Sequence, residues 1–221
     1  MTMTMKLPPD PTLDEMRLAL AAELPAHAAF DGWSDAALDA AAAALGLDAG
    51  QARLACPGGA VDMISAWYAA IDAALAADFP RERIAAMKVR ERIEALVLAR
   101  LAYARPYREA ARRALAVLAR HPLVAARLGW QAADGMWRLA GDTATGTDHY
   151  TKRLTLSGVY AATLLIWLDD DSAGEAETRA FLQRRLADVM RVETLKARLR
   201  RDPERSFSMT RLLGRLRYPA R

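Results

Sequence analysis

Cysteine is nearly absent from this chain: Cys56 stands alone among 221 residues. A single thiol allows no intramolecular disulfide and no cysteine metal site, which points to a reducing compartment. It leaves Cys56 as a small buried hydrophobe. Histidine is almost as scarce. His27, His121 and His149 lie far apart, and none falls in a metal-ligand spacing such as H-E-x-x-H. The G-x-S-x-G, P-loop and G-x-G-x-x-G motifs are missing, as are the E-x-x-H pairs of di-iron bundles. The β-branched residues Val, Ile and Thr are sparse, and no segment alternates over a useful strand length. Long apolar runs are lacking too. The longest uncharged stretch, Leu154 to Leu168, has 15 residues, short of the roughly 20 that span a bilayer. The opening MTMTMKLPPDPT has neither an apolar signal core nor an arginine-rich presequence. These absences predict a non-enzyme that is neither disulfide-stapled nor exported.

What is present favours helix. Hydrophobic residues make up 53% of the chain, enough for a sizeable core, and alanine dominates many stretches. Thr12 to Glu15 reads T-L-D-E, a capping box that starts a first helix with Leu13, Met16, Leu20 and Leu24 on one face. Pro25 is expected to end or kink it. Ser34 caps a second helix, with Trp33 and Leu38 as a hydrophobic staple, and Gly46 stops it. Asp48 caps a short third helix to about Ala55. After the CPGG break, Cys56 to Gly59, a fourth runs from about Val61 to Ala77. Longer helices then follow over about Glu82–Tyr103, Pro106–Arg120 and Leu123–Leu139. The next, capped by Thr147 or Asp148, reaches about Leu168. Ser172 and Glu175 form a second capping box, S-A-G-E, for a helix to about Arg200, and a short last helix covers Ser206–Arg217.

The expected fold is therefore all-α with about nine or ten helices. Residues 12–78 form a helix-turn-helix head, residues 79–200 a larger body, and residues 201–221 a basic amphipathic C-terminal helix. By helix count the nearest architecture is that of the TetR-type regulators. A DNA-binding head needs cations that reach phosphate. Here the third helix offers only Arg53 and Gln51. The head's other cation, Arg17, faces Glu15, Glu23, Asp31, Asp35, Asp39 and Asp48. A surface of that sign repels phosphate, so no nucleic acid is expected. The triplet Asp169–Asp171 reads as a solvated turn that supplies negative charge to the next helix.

The helix from Tyr150 to Leu168 has almost no polar face beyond Arg153, and an all-round apolar helix is expected to be buried on all sides, as a central helix, at a subunit interface or as the wall of an apolar cavity, with core packing or a dimer seam the default. The C-terminus is basic: from Lys196 to Arg221 there are nine Lys or Arg and two acids. Met209, Leu212, Leu213 and Leu216 cluster on one helical side, with Arg211 and Arg215 away from it. This pattern suits a helix lying in an anionic membrane interface.

The stretch ADGMWRLAGDTATGTDHYTKR, Ala133 to Arg153, resembles the signature of the Coq-nine family of ubiquinone-biosynthesis accessory proteins. Its most specific parts are W-x-x-A-G-D, Trp137 to Asp142, and Y-T-K-R, Tyr150 to Arg153. The resemblance extends through LTLSGVYAATLLIWLDDDS to TRAFLQRRLADVM. FDGW at Phe30 to Trp33 and PGGAVD at Pro57 to Asp62 fit the same family. It implies a TetR-like fold without DNA binding, a homodimer, and an apolar cavity for isoprenoid lipid. It also implies a C-terminal amphipathic helix that approaches membranes, and presentation of quinone intermediates to a di-iron hydroxylase. No cofactor is expected beyond a bound isoprenoid lipid or quinone. The family's partner patch maps to His149, Tyr150 and Arg153. His149 stands where the family usually has Trp, and Gly146 where it usually has Asp, so a weaker partner contact is expected. Trp137, Tyr160, Thr163 and Trp167 are the candidate lipid contacts, chosen for their place in the apolar body. The expected location is the bacterial cytoplasm, peripheral to the inner membrane. The alternative reading is a TetR-type transcription regulator with an apolar ligand pocket.

Overall fold

The computed structural model describes residues 7, 8 and 10–201, the side chains of 81, 190 and 192–201 excepted. Among these residues the structure is all-α: ten α-helices, two short 3-10 helices and no strand. Two compact units divide the chain, Met1–Leu182 and Gln183–Arg221. The elements that build the site belong to the first. Met209, Arg211, Leu212, Leu213, Arg215 and Leu216, read above as a membrane helix, lie outside the described residues.

The head forms where its caps predict. Helix α1, Leu13–Asp31, opens on the Thr12/Glu15 capping box. Pro25 does not end it: the helix runs six residues further, to Asp31, with Leu24, Pro25 and Ala28 all buried. Burial of that face outweighs the one backbone bond that proline forfeits. Helix α2, Asp35–Leu45, takes Ser34 as N-cap and the left-handed Gly46 as C-cap. Helix α3, Ala49–Ala55, is capped by Asp48, with Gln51 closing a capping box. Helix α4, Ala60–Asp78, packs on α1 and supplies Met63, Ile64, Trp67, Tyr68, Ile71 and Leu75 to the core. By length and composition α4 is the one described helix able to cross a membrane, yet its apolar side is spent on neighbouring helices. The Trp33 indole donates to the Ala110 carbonyl at 2.9 Å and lies 5.4 Å from the Trp67 ring, tying the head to the body.

The body departs from expectation between 81 and 104. One helix was expected there; the structure has a single turn, α5 (Arg81–Ile84), and then α6 (Val89–Ala104). Glu91 accepts the Lys88 N–H at 3.0 Å and so starts a new helix. Arg92 secures the break by donating to the carbonyls of Met87, Ala85 and Ala140. A 3-10 turn, Arg105–Tyr107, leads into α7, Arg108–Leu118. Helices α8, Pro122–Leu139, and α9, Gly146–Leu168, pack side by side. A Cβ on Gly129 would stand 2.6 Å from Ser157 Oγ and 3.9 Å from Ser157 Cβ, so a larger residue there would require the serine hydroxyl to turn away. The N-cap of α9 is Thr145, two residues before the expected Thr147.

Two expectations about the α9 region are corrected. Within the single chain helix α9 is not buried on all sides, which removes the central-helix reading: Leu154 is 69% and Leu165 59% exposed. With exposed Gly158 and Ala161 they form one stripe at helical spacing. Nor do Ser172 and Glu175 form a capping box. The Ser172 side chain makes no cap bond within its own short turn, Ala173–Glu175. Ser172 Oγ instead accepts the Glu177 N–H of the following helix at 3.2 Å, and the second capping group is Asp170, which is buried rather than solvated. Its Oδ2 accepts both the N–H and the hydroxyl of Thr178, at 2.8 and 2.6 Å, in the first turns of α10, Ala176–Arg201. Burial opposes ionisation of Asp170, but its bonds from Ser172 and Thr178 outweigh it and hold the carboxyl far below the ordinary range. Glu175 turns inward instead. It accepts from Arg105 Nε and Nη2 at 2.9 and 2.7 Å, from Arg108 Nη2 at 3.0 Å, and from the Trp167 indole at 2.9 Å.

Candidate functional site

An apolar cavity of about 400 Å³ opens between α4 and the α6–α9 layer, within the size range of small-molecule sites. Leu118, Leu128 and Leu164 are buried in its wall, while Ala119, Pro122, Ala161 and Leu165 are exposed at its edge. The mouth thus lies on the same α9 stripe that faces outward. Short residues make the hollow: Ala119, Ala125, Gly129 and Ala161 stand where larger side chains would fill it.

Three polar groups interrupt this lining: Tyr68, Arg100 and Tyr160. Arg100 is only 2% exposed. Its guanidinium lies between the two phenol rings, 5.7 Å from the Tyr68 centroid and 5.3 Å from that of Tyr160. Its Nε donates to the Tyr160 hydroxyl at 3.1 Å, and its Nη1 forms an ion pair with Asp72. The Tyr68 hydroxyl is buried and has no hydrogen-bond partner among the described residues. Burial, then the neighbouring Tyr160, push its pKa up, with Arg100 opposing, so the hydroxyl stays protonated.

Of the four expected lipid contacts, Tyr160 lines this cavity. The other three are placed elsewhere. Thr163 is fully buried and donates to the Val159 carbonyl. Trp167 is committed to Glu175, with Arg108 4.8 Å above its ring. Trp137 donates to the Lys152 carbonyl at 3.1 Å. Tyr68 and Arg100 went unread in the sequence. A signal existed for Arg100: Ile93, Leu96, Val97, Arg100 and Leu101 share the buried side of α6, so an arginine stands in core register.

The W-x-x-A-G-D and Y-T-K-R blocks meet across the α8–α9 turn. Asp142 binds Lys152 Nζ at 2.7 Å and Arg153 Nη1 at 3.0 Å. Asp134 takes Arg153 Nε at 2.5 Å. Lys152 also lies 5.2 Å over the Trp137 ring. Burial would raise the Asp142 carboxyl, but the bonds from Lys152 and Arg153 prevail and hold it below its ordinary value. Arg153 is therefore inside the fold, whereas Tyr150 is exposed. Tyr150, half-buried His149 and Trp130 form an aromatic group, with ring separations of 5.2 to 6.4 Å.

In the head, the cation of α3 is already engaged: Arg53 Nη2 pairs with Asp39 at 2.7 Å. Gln51 accepts the Asp48 N–H at 3.2 Å. No cluster of three or more metal-binding side chains occurs among the described residues.

The fold class is that of the TetR-like helical proteins. The crystal structure of the TetR transcriptional regulator from Nitrosomonas europaea superposes with a TM-score of 0.62, covering 78% of this chain and 96% of that one at 23% identity. The family enters through the C-terminal half. Residues 123–193, from α8 into α10, match the COQ9 family model. Within this part the chain is 40% identical over 57 residues to the mitochondrial ubiquinone biosynthesis protein COQ9 of Bos taurus. It is 39% identical over 57 residues to the Homo sapiens protein. Each alignment covers 26% of this chain and 18% of the relative, so the shared segment spans about a fifth of those relatives' length. Over this segment the chain is similar to the COQ9 proteins of ubiquinone biosynthesis. The FDGW and PGGAVD stretches lie outside the match.

Proposed function

We propose that this protein is a non-enzymatic, lipid-binding accessory protein of ubiquinone biosynthesis. It holds an isoprenoid quinone intermediate in the α4/α6–α9 cavity and presents it to a di-iron hydroxylase. The observation that carries this reading is the cavity itself, apolar-walled and bounded on two sides by α8 and α9, the helices that carry the COQ9 match. Burying an isoprenoid tail there is driven at about 25 cal/mol per Å². The exposed α9 stripe supports a homodimer, because four apolar or small positions in register suit a second copy's helix. Tyr150 and His149, not the buried Arg153, are the residues available to the hydroxylase. Met209, Leu212, Leu213 and Leu216 would enter the lipid and Arg211 and Arg215 meet anionic headgroups, at the cytoplasmic side of a bacterial inner membrane.

Mass spectrometry of organic extracts from the purified protein tests the reading. A stoichiometric isoprenoid or quinone is expected, and a clean extract together with no uptake of added ubiquinone overturns it. Leu213→Glu is expected to weaken sedimentation with anionic vesicles while leaving the helical circular dichroism intact; unchanged sedimentation sinks the membrane contact.

The fold likeness favours a second reading, a TetR-type regulator. The engaged Arg53 and the acidic head weigh against it, and a low-salt gel shift with the protein's own upstream DNA separates the two.

A further inference from the structure

The cavity floor holds more hydrogen-bonding capacity than the empty fold uses. The Tyr160 hydroxyl accepts from Arg100 Nε, which leaves its own proton to donate. The Tyr68 hydroxyl has neither donor nor acceptor partner among the described residues, though the residue is 9% exposed and its oxygen is closed to solvent. A buried hydroxyl without a partner is costly, and such groups are rare in native folds. A second feature fixes the charge. Arg100, the only cation among the described residues that line the cavity, is paired with Asp72. The floor is thus close to neutral and offers two O–H donors behind an apolar wall.

We propose that Tyr68 and Tyr160 are the residues that read the ligand's polar end, donating to an uncharged carbonyl oxygen at the tip of an apolar molecule. The Arg100–Asp72 pair holds the two phenols in place and excludes an anionic head. A carboxylate or phosphate would find no free positive charge to offset its desolvation. A plain hydrocarbon would give neither hydroxyl proton an acceptor. The inference rests on the reading of this cavity as a lipid site and specifies which lipids enter it.

Three probes of equal chain length separate the possibilities: decyl-1,4-benzoquinone, decylbenzene and decanoate. Each is titrated by competition against a fluorescent apolar dye bound to the full chain. The quinone is expected to bind at least 10-fold tighter than decylbenzene, with decanoate the weakest. Tyr68→Phe is expected to weaken the quinone about 5- to 10-fold, to leave decylbenzene unchanged, and to raise the melting temperature of the unliganded protein by roughly 2–4 °C. That rise is the signature a packing role would not give, since it comes from removing an unpartnered buried hydroxyl. Tyr160→Phe provides a second reading of the same preference. Equal wild-type affinity for quinone and decylbenzene overturns the proposal while leaving a lipid site standing. So does decanoate binding tightest, or Tyr68→Phe weakening quinone and hydrocarbon alike. No binding of any probe overturns the lipid site and the proposal together.

Discussion

Two buried arginines, both on helices of the body, are treated differently by this fold. Arg153 sits at the α8–α9 turn with carboxylates on two sides, Asp134 and Asp142, and its neighbour Lys152 is bound by the same Asp142. Arg100 sits on the cavity floor with one carboxylate, Asp72, and two phenols, one of them holding an unpartnered hydroxyl. In the first place every cation has a carboxylate partner, Arg138 sharing Asp134 with Arg153, and these pairs hold the turn. In the second, donors are left over beside a hollow. Matched polar clusters hold a fold; unmatched ones next to empty apolar space are where a ligand completes the bonding. The distinction reassigns the family-like signature. Its most recognisable residues, Trp137, Asp142, Lys152 and Arg153, build the turn, while Tyr150 beside them is exposed and His149 half-buried.

Breaking the matched site has the largest expected effect. Asp142→Ala strips Arg153 and Lys152 of a buried partner and is expected to cost about 3 kcal/mol, read as a lowered urea midpoint with an unchanged slope. A loss under about 0.5 kcal/mol shows the turn is not held this way. This site and the α9–α10 junction together set the acid stability. Asp142, Glu175 and Asp170 all have carboxyls held below their ordinary values. Their contribution is therefore present above the unfolded-state values of 3.8 to 4.5 and is lost as pH falls through the folded ones. Stability is expected to be flat from pH 7 to about 5 and to fall below that. Glu175→Gln, which weakens its pairing with Arg105 and Arg108, is expected to lower stability at pH 7 by about 2 kcal/mol and to flatten the acid limb. An unchanged acid limb removes Glu175 from the account.

Gly129→Ala sharpens the comparison from the side of the hollow. The added methyl meets Ser157 Oγ, and the expected cost is about 1 kcal/mol with weaker ligand uptake; a gain in stability means that α8 and α9 have room to spare. The smallest effect carries the clearest sign. Tyr160→Phe leaves Arg100 Nε without its acceptor and is expected to destabilise by about 1 kcal/mol, opposite to the gain expected from Tyr68→Phe. Two destabilising results of equal size show that both hydroxyls are structural.

The sequence was legible wherever a local rule decides. Thr12, Ser34, Gly46 and Asp48 mark helix ends through bonds made within four residues, and those ends stand where they were expected. It misled where a distant partner decides. Pro25 stays inside a helix because its face is buried. Glu175 leaves its expected capping role because Arg105, Arg108 and Trp167 claim it across the fold. Arg100 was readable only as an arginine in core register; that its neighbours are Tyr68 and Tyr160 depends on α4 and α9 meeting over it.

Periodicity, local hydrogen bonding and residue order are properties of the chain alone, and they were enough for the class of fold, the caps of the first helices and the COQ9 resemblance. Tertiary structure alone decided which polar groups are satisfied and which are left over. Satisfaction depends on pairs such as Arg100–Tyr160 and Asp142–Arg153, formed between separate elements. It decided the cavity as well, because a hollow is a property of several helices failing to fill a space together and no single segment encodes it.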